Sequence, residues 1–101
     1  MPSLSQLGLQ AGTAGWKAGH EAIRSGALDI AGLDDGERDM TVAAYAARDA
    51  GRYMRMVVEE YGLTEAQGVR LWWIFMGTFK RGALDQALDA GALYRPSERV
   101  E

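Results

Sequence analysis

The chain has 101 residues, of which 48% are hydrophobic and 25% are charged, and its formal net charge is −3. This composition is that of one small folded domain over residues 1–101, and it excludes a disordered chain. The acidic balance gives no global reason to expect nucleic acid or an acidic membrane surface as a partner. The absence of cysteine excludes disulfides, thiolate metal sites and cysteine nucleophiles.

The N-terminal segment, residues 1–10, carries no lysine or arginine and no apolar block. The longest run of apolar residues in the chain covers only 71–76. Because a bilayer span needs about 20 apolar residues, we expect no membrane segment, and we expect no secretory signal. We therefore expect a cytoplasmic protein, or one inside a virion or another cytosolic assembly. Arginine far outnumbers lysine, and alanine and glycine are abundant. This bias is typical of GC-rich coding and favours a bacterial or phage source.

The first predicted helix spans about residues 4–25, and Ser3 with Gln6 has the spacing of a capping box at its start. Its polar residues share one arc. Four glycines at helical spacing lie at the centre of the opposite face: Gly8, Gly12, Gly15 and Gly19. Each interior glycine disfavours a helix by about 1 kcal/mol relative to alanine, so the stripe predicts close packing against another backbone. A loop up to Gly12 with a helix beginning at Thr13 is the alternative.

The second predicted helix spans about residues 36–61. Its apolar residues alternate in steps of three and four: Met40, Ala43, Ala47, Ala50, Met54, Val57 and Tyr61. Small side chains allow a partner helix to come close. We therefore predict that the alanine half of this stripe packs against the glycine stripe of the first helix.

The third predicted helix spans about residues 64–81 and begins with a capping box of Thr64 and Gln67. Its predicted core face consists of Val69, Trp72, Trp73, Met76 and Phe79. Further apolar residues surround that face. A helix that is apolar almost all round is either central in its domain or faces a partner chain.

The end of the chain contains several helix breakers. Gly82 is predicted to end or kink the third helix, residues 83–90 to form a short fourth helix, and residues 92–101 to form an extended tail. The predicted fold is therefore all-α, a bundle of three main helices plus a short C-terminal helix.

The segment LWWIFM, residues 71–76, is rich in side chains that dominate protein interfaces, but it can equally form the core of the domain. The third helix carries more large apolar groups than two helices rich in alanine and glycine need, and this surplus favours association. Four residues are candidates for partner contact: Trp72, Phe75, Tyr45 and Met56.

Catalytic chemistry has little support in the sequence. His20 is the only histidine, whereas transition-metal sites need several converging ligands. No carboxylate pair has an apolar setting that would shift its pKa, and the glycines match no phosphate-binding motif. We expect no catalytic residue, no cofactor and no metal, and we do not expect an enzyme.

The sequence favours a non-enzymatic protein–protein interaction module: a small subunit, adaptor or inhibitor, homo-oligomeric or embedded in a larger phage or bacterial assembly. Arg48, Arg52 and Arg55 form a basic ridge, which is either a solvated face or a patch for an acidic partner or nucleic acid. The alternative function is a helix-turn-helix-like DNA-binding regulator, with a recognition helix after Gly82. Nucleic acid is the less favoured partner because the residues after Gly82 are acidic.

Overall fold

The computed structural model describes residues 2–89 of the chain, and within them there are three α-helices and no strand. The helices are α1 (Leu4–Arg24), α2 (Asp35–Tyr61) and α3 (Glu65–Asp89). The all-α fold with three main helices is confirmed. The predicted tail over 92–101 lies outside the described residues.

Reciprocal hydrogen bonds fix where each helix begins. Ser3 Oγ accepts the amide of Gln6 at 3.1 Å, and Gln6 Oε1 accepts the amide of Ser3 at 2.8 Å. The alternative of a loop up to Gly12 is therefore wrong. The same pairing begins the other two helices, through Asp34 with Glu37 and Thr64 with Gln67. Each box satisfies backbone amides that the first helical turn leaves unpaired.

Helix α3 is central, and α1 lies along one side of it. Gly8 of α1 lies beside Ile74 of α3, and further along both helices Gly19 lies beside Phe79. The two helices therefore run parallel. Helix α2 ends at a turn at Gly62, whose φ of 62° favours glycine, and α3 then runs antiparallel to it. Helix α2 thus covers another side of α3. Helices α1 and α2 make little contact with each other.

The glycine stripe of α1 faces α3, so the predicted pairing of this stripe with the alanines of α2 is wrong. A Cβ atom on Gly15 would overlap the backbone of Phe75, and one on Gly19 would overlap the backbone of Phe79. Phe75 and Phe79 meet these glycines with their backbones, whereas their rings lie against Tyr53 and Tyr45 of α2. The missing side chains of the glycines therefore let the backbones of α1 and α3 come close.

The N-terminal half of the stripe packs less tightly. A Cβ on Gly8 would lie 3.5 Å from the side chain of Ile74, and one on Gly12 would lie 3.8 Å from the same side chain. Both distances are ordinary van der Waals contacts. The two helices are therefore closest at Gly15 and Gly19 and are separated by a layer of side chains nearer the start of α1.

Helix α3 continues through Gly82 to Asp89, so the predicted end of the helix at Gly82 is wrong. Residues 83–89 are part of α3 and do not form a separate short helix, and Ala90 of the predicted fourth helix lies outside the described residues. A Cβ on Gly82 would overlap the backbone of Trp16. Gly82 is thus the counterpart on α3 of the α1 glycines, and it permits close packing instead of terminating a helix.

The buried face of α2 is rotated relative to the predicted stripe. Its buried residues are Val42, Ala46, Ala50 and Val57, whereas Met40, the predicted start of the stripe, is 75% exposed. The small residues Ala46 and Ala50 lie in the same core cluster as Phe75 and Phe79. The connector before α2 contributes two more buried side chains, Leu28 and Ile30.

Candidate functional site

The interior of the described residues offers no polar chemistry. It buries no polar or charged side chain, and no three histidine, aspartate or glutamate side chains come together to hold a metal ion. The His20 ring stacks on Trp16 with centroids 4.8 Å apart, and Trp16 Nε1 donates a hydrogen bond to Asp85 at 3.1 Å. His20 therefore lies in a packing contact at the side of the α1–α3 pair.

The groups with shifted pKa values have structural causes. A hydrogen bond from Arg24 lowers the pKa of Glu21, and the backbone amide of Glu37 lowers the pKa of Asp34 at the start of α2. Burial raises the pKa of the Tyr53 hydroxyl. Acid–base catalysis needs titratable groups with shifted pKa values that converge on one cleft. These three groups lie on different helices or helix ends and do not converge.

Two of the four predicted partner-contact residues are packed within the chain. Phe75 is only 4% exposed, and its ring lies 5.0 Å from Tyr53 and 6.3 Å from Phe79. Tyr45 is half-buried and stacks on Phe79 at 5.7 Å. Phe75 therefore belongs to the core and presents almost no surface to a partner, which corrects its assignment as a contact residue.

The other two candidates differ in exposure. Trp72 is half-buried and packs against the main core cluster. Met56 is 55% exposed on α2 and is the only one of the four that is largely free of contacts within the described chain.

The predicted arginine ridge is exposed along α2, but its three members have different surroundings. The Arg48 guanidinium lies 4.4 Å from the centre of the Tyr45 ring, and Arg52 lies 3.9 Å from Asp49. Arg55 makes no ion pair with another described residue and lines a groove between α2 and α3. The ridge is therefore not a uniform array of free cations.

A more prominent surface feature lies on α3, on the side that neither α1 nor α2 covers. Trp73 is 63% exposed, Val69 42% and Leu84 40%. Trp73 stands edge-on to Trp72, with ring centroids 4.8 Å apart. We define the outer face of α3 as seven exposed residues at helical spacing: Val69, Arg70, Trp73, Gly77, Lys80, Arg81 and Leu84.

Grooves border this outer face on its α2 side. One is lined by Val69 of α3 and by Met54, Arg55 and Val58 of α2, with Glu59 and Glu65 also in its lining. Another, nearer the end of α3, is lined by Lys80 and Leu84 together with Ile30, Arg38, Asp39 and Val42. Exposed apolar side chains of α3 are thus flanked by recesses into which a second apolar surface can fit.

The charges on the outer face are all positive. Arg70 and Lys80 make no ion pair with another described residue, whereas Arg81 lies 3.6 Å from Asp85 at the edge of the face. A chain with a net charge of −3 therefore carries three cations and no carboxylate on this one surface.

The sequence interpretation missed the outer face because it placed Val69 and Trp73 in the core. With apolar residues nearly all round α3, periodicity alone does not select the buried side. A second seam, with spacings of three and four residues, was also available: Gly68, Leu71, Phe75, Phe79 and Gly82. All five are buried, as is Met76 of the predicted core face, and the glycines at both ends of the seam were the signal that could have identified it.

None of the three described helices combines the length and the apolar character that crossing a membrane requires. Comparison with protein families, with curated proteins and with solved structures gives no match for this chain. Function must therefore be argued from the surface itself.

Proposed function

We propose that this chain is a non-enzymatic protein–protein interaction module that binds its partner through the outer face of α3. The observation that carries the proposal is Trp73, which is 63% exposed although it lies in the middle of the central helix. Tryptophan is the residue type most enriched where binding energy concentrates, and a folded domain gains little by leaving one in water.

The surroundings of Trp73 support this role. Val69 and Leu84 extend the apolar surface along the helix, and charged residues flank it, as is usual for an interface with an apolar centre and a polar rim. Trp72 supports the exposed ring from the side of the core, so Trp73 is held in place before a partner arrives. The absence of buried polar groups in the described part of the chain fits a binding role better than a catalytic one.

In this proposal the protein acts as a small subunit, adaptor or inhibitor, homo-oligomeric or within a larger phage or bacterial assembly, in the cytoplasm or inside such an assembly. The helix-turn-helix alternative loses its premise. It needs a turn at Gly82, and α3 is unbroken there.

The test is photo-crosslinking from the outer face. A photoreactive phenylalanine analogue is placed at Trp73 in the full chain, and a matched control carries it at Arg52, which is exposed on α2 outside the outer face. Both proteins are irradiated in an extract of the cells that encode the chain. We expect a protein adduct from position 73 that excess wild-type protein prevents and excess Trp73→Ala protein does not.

Two results would contradict the proposal. One is the same set of adducts from both positions, and the other is an adduct that Trp73→Ala suppresses as well as wild type does. Light scattering measures self-association separately, since a homo-oligomer must exceed the chain mass of 11.0 kDa.

A further inference from the structure

Apart from Gly36 in the first turn of α2, whose added Cβ would meet only the Asp34 side chain, the helical glycines of the described chain fall into two groups. One group lies against another helix, so that an added Cβ would meet backbone or side-chain atoms: Gly8, Gly12, Gly15, Gly19, Gly68 and Gly82. Gly51 and Gly77 are different, because a Cβ on either would meet no atom within 4 Å. Each costs the helix about 1 kcal/mol relative to alanine, and the described chain shows no contact that requires it.

Gly77 belongs to the outer face of α3, one turn after Trp73. Gly51 lies on α2, three and four residues before Met54 and Arg55, which line the groove beside Val69. Residues at these spacings share one side of a helix. Gly51 therefore shares a side of α2 with two residues of the groove, whereas Gly77 lies on the outer face itself. At Gly15, Gly19 and Gly82, by contrast, the missing side chain lets the backbone of another helix come close.

The outer face also has the periodicity of a helix-packing seam. Val69, Trp73, Gly77, Lys80 and Leu84 follow one another at steps of four, four, three and four residues. At 1.5 Å per residue, the seam is about 22 Å long, which matches a partner helix of about four turns. Bulky residues at both ends and glycine in the middle would let the backbone of a crossing helix approach at Gly77.

The charges select the chemistry of that helix. Arg70 and Lys80 are unpaired among the described residues, and Arg55 is unpaired on the neighbouring surface of α2. Carboxylates are present at both ends: Glu59 and Glu65 line the groove beside Val69, and Asp39 lines the groove beside Lys80. Asp39 contacts Arg38, and Asp85 contacts Arg81. The cations of the outer face that have no such contact are therefore Arg70 and Lys80. A partner with carboxylates beside its apolar stripe complements this pattern.

Two other occupants fit less well. A second copy that docked symmetrically would bring two cationic surfaces together and supply no carboxylate from either outer face, because a two-fold interface uses the same patch on both copies. Nucleic acid would use Trp73 for stacking, but Val69 and Leu84 at the two ends of the seam offer aliphatic surface, which bases and phosphates do not complement.

We propose that the outer face of α3 binds an acidic amphipathic helix of a partner protein, with its closest approach at Gly77. The inference rests on the proposed function, protein binding through this face, and adds the chemistry of the partner and the point of contact.

The test uses three fluorescent peptides of about 18 residues with one shared leucine–alanine face and net charges of about −4, 0 and +4. Binding to the full chain is followed by fluorescence anisotropy at low and at physiological salt. We expect the acidic peptide to bind at least about tenfold more tightly than the other two, and its affinity to fall as salt is added.

Substitutions in the full chain test whether the peptide binds to the outer face. Lys80→Glu should weaken binding of the acidic peptide about tenfold, whereas the matched charge reversal Arg52→Glu on α2 should leave it unchanged. Gly77→Leu should also weaken binding about tenfold by blocking the closest approach. Circular dichroism serves as the folding control, because Gly77→Leu should raise the melting temperature of the free protein.

Several results overturn the inference. They are no binding of the acidic peptide at low salt, equal binding of the basic peptide, and unchanged affinity in Gly77→Leu. Displacement of the acidic peptide by a single-stranded oligonucleotide, or self-association that Lys80→Glu abolishes, would assign the face to nucleic acid or to a second copy instead. If position 73 crosslinks a protein specifically while the acidic peptide does not bind, the proposed function stands and this inference fails.

Discussion

The same chemical change, glycine to alanine, should have opposite effects at two positions in this bundle. In Gly77→Ala the new methyl group meets no atom of the described chain within 4 Å. The free energy of unfolding should then rise by about 0.5–1 kcal/mol, since alanine loses less backbone entropy than glycine in a helix interior.

In Gly19→Ala the new Cβ would lie 2.8 Å from the carbonyl carbon of Phe79 and 2.9 Å from the backbone nitrogen of Ala83. Real Cβ atoms do not approach backbone so closely, so α1 and α3 must move apart. Overpacking of a core costs about 1–3 kcal/mol, and separation of the two helices also loosens the side chains beside this contact. After the gain in helix propensity is subtracted, we expect a net loss of about 1–2 kcal/mol.

The assay is thermal and denaturant unfolding of the two variants and the wild type, followed by circular dichroism. For a domain of this size a change of 1 kcal/mol shifts the melting temperature by about 4–8 °C, so a rise for Gly77→Ala and a fall for Gly19→Ala are both measurable. If Gly19→Ala is as stable as the wild type, the close α1–α3 contact described above is wrong. If Gly77→Ala is less stable than the wild type, Gly77 has a packing role within the chain, and the partner inference loses its basis.

Three other substitutions test separate parts of the structure. Phe75→Ala should cost about 3–5 kcal/mol whereas Trp73→Ala should cost less than about 1 kcal/mol, because the first ring is core and the second is largely exposed; equal losses by urea denaturation would contradict this placement. Gly15→Leu should unfold the protein or sharply lower its melting temperature, whereas Lys17→Leu on the exposed side of α1 should change stability by no more than about 0.5 kcal/mol. Asp34→Asn tests the cap of α2. The lowered pKa of Asp34 implies a contribution to stability that is complete above about pH 4 and is lost as the pH falls through that lowered pKa. In thermal melts the wild type should therefore lose its advantage over Asp34→Asn in acid, and a difference in stability that does not depend on pH would contradict the assignment.

The sequence was sufficient for those parts of the fold that depend on local chemistry. Ser3 and Thr64 each have a capping partner three positions later, so the starts of α1 and α3 could be located within a residue or two. Asp34 and Glu37 have the same spacing at the start of α2. The glycine stripe correctly indicated that α1 packs with a close partner, because repeated glycines in a helix have no local advantage.

The choice between partners for α1 is not local, and the sequence interpretation failed there. The alanines of α2 and the aromatic rings of α3 were both plausible neighbours for a small-residue surface, and only the packing of the whole bundle decides between them. The rotation of α3 about its axis is not local either. The sequence interpretation therefore placed Trp73 in the core and Phe75 at the surface, whereas the structure has the reverse. Gly82 was read as a helix end because glycine commonly follows the last helical turn, whereas here its missing side chain makes room for the backbone of Trp16.

The glycines therefore connect the fold to the proposed binding surface. In a helix a glycine is unfavourable by itself, so its presence needs a compensating contact, and in α1 and α3 that contact is visible at Gly15, Gly19 and Gly82. Gly77 carries the same cost in the same helix as Gly82, on a face that leaves Trp73 63% exposed and Lys80 without an ion pair among residues 2–89. The glycine weakens the isolated chain slightly, whereas the exposed tryptophan and the cation gain no stabilising contact within its described part. One partner helix crossing at Gly77 would supply a contact to all three residues, and this is the physical reason to look for the partner on the outer face of α3.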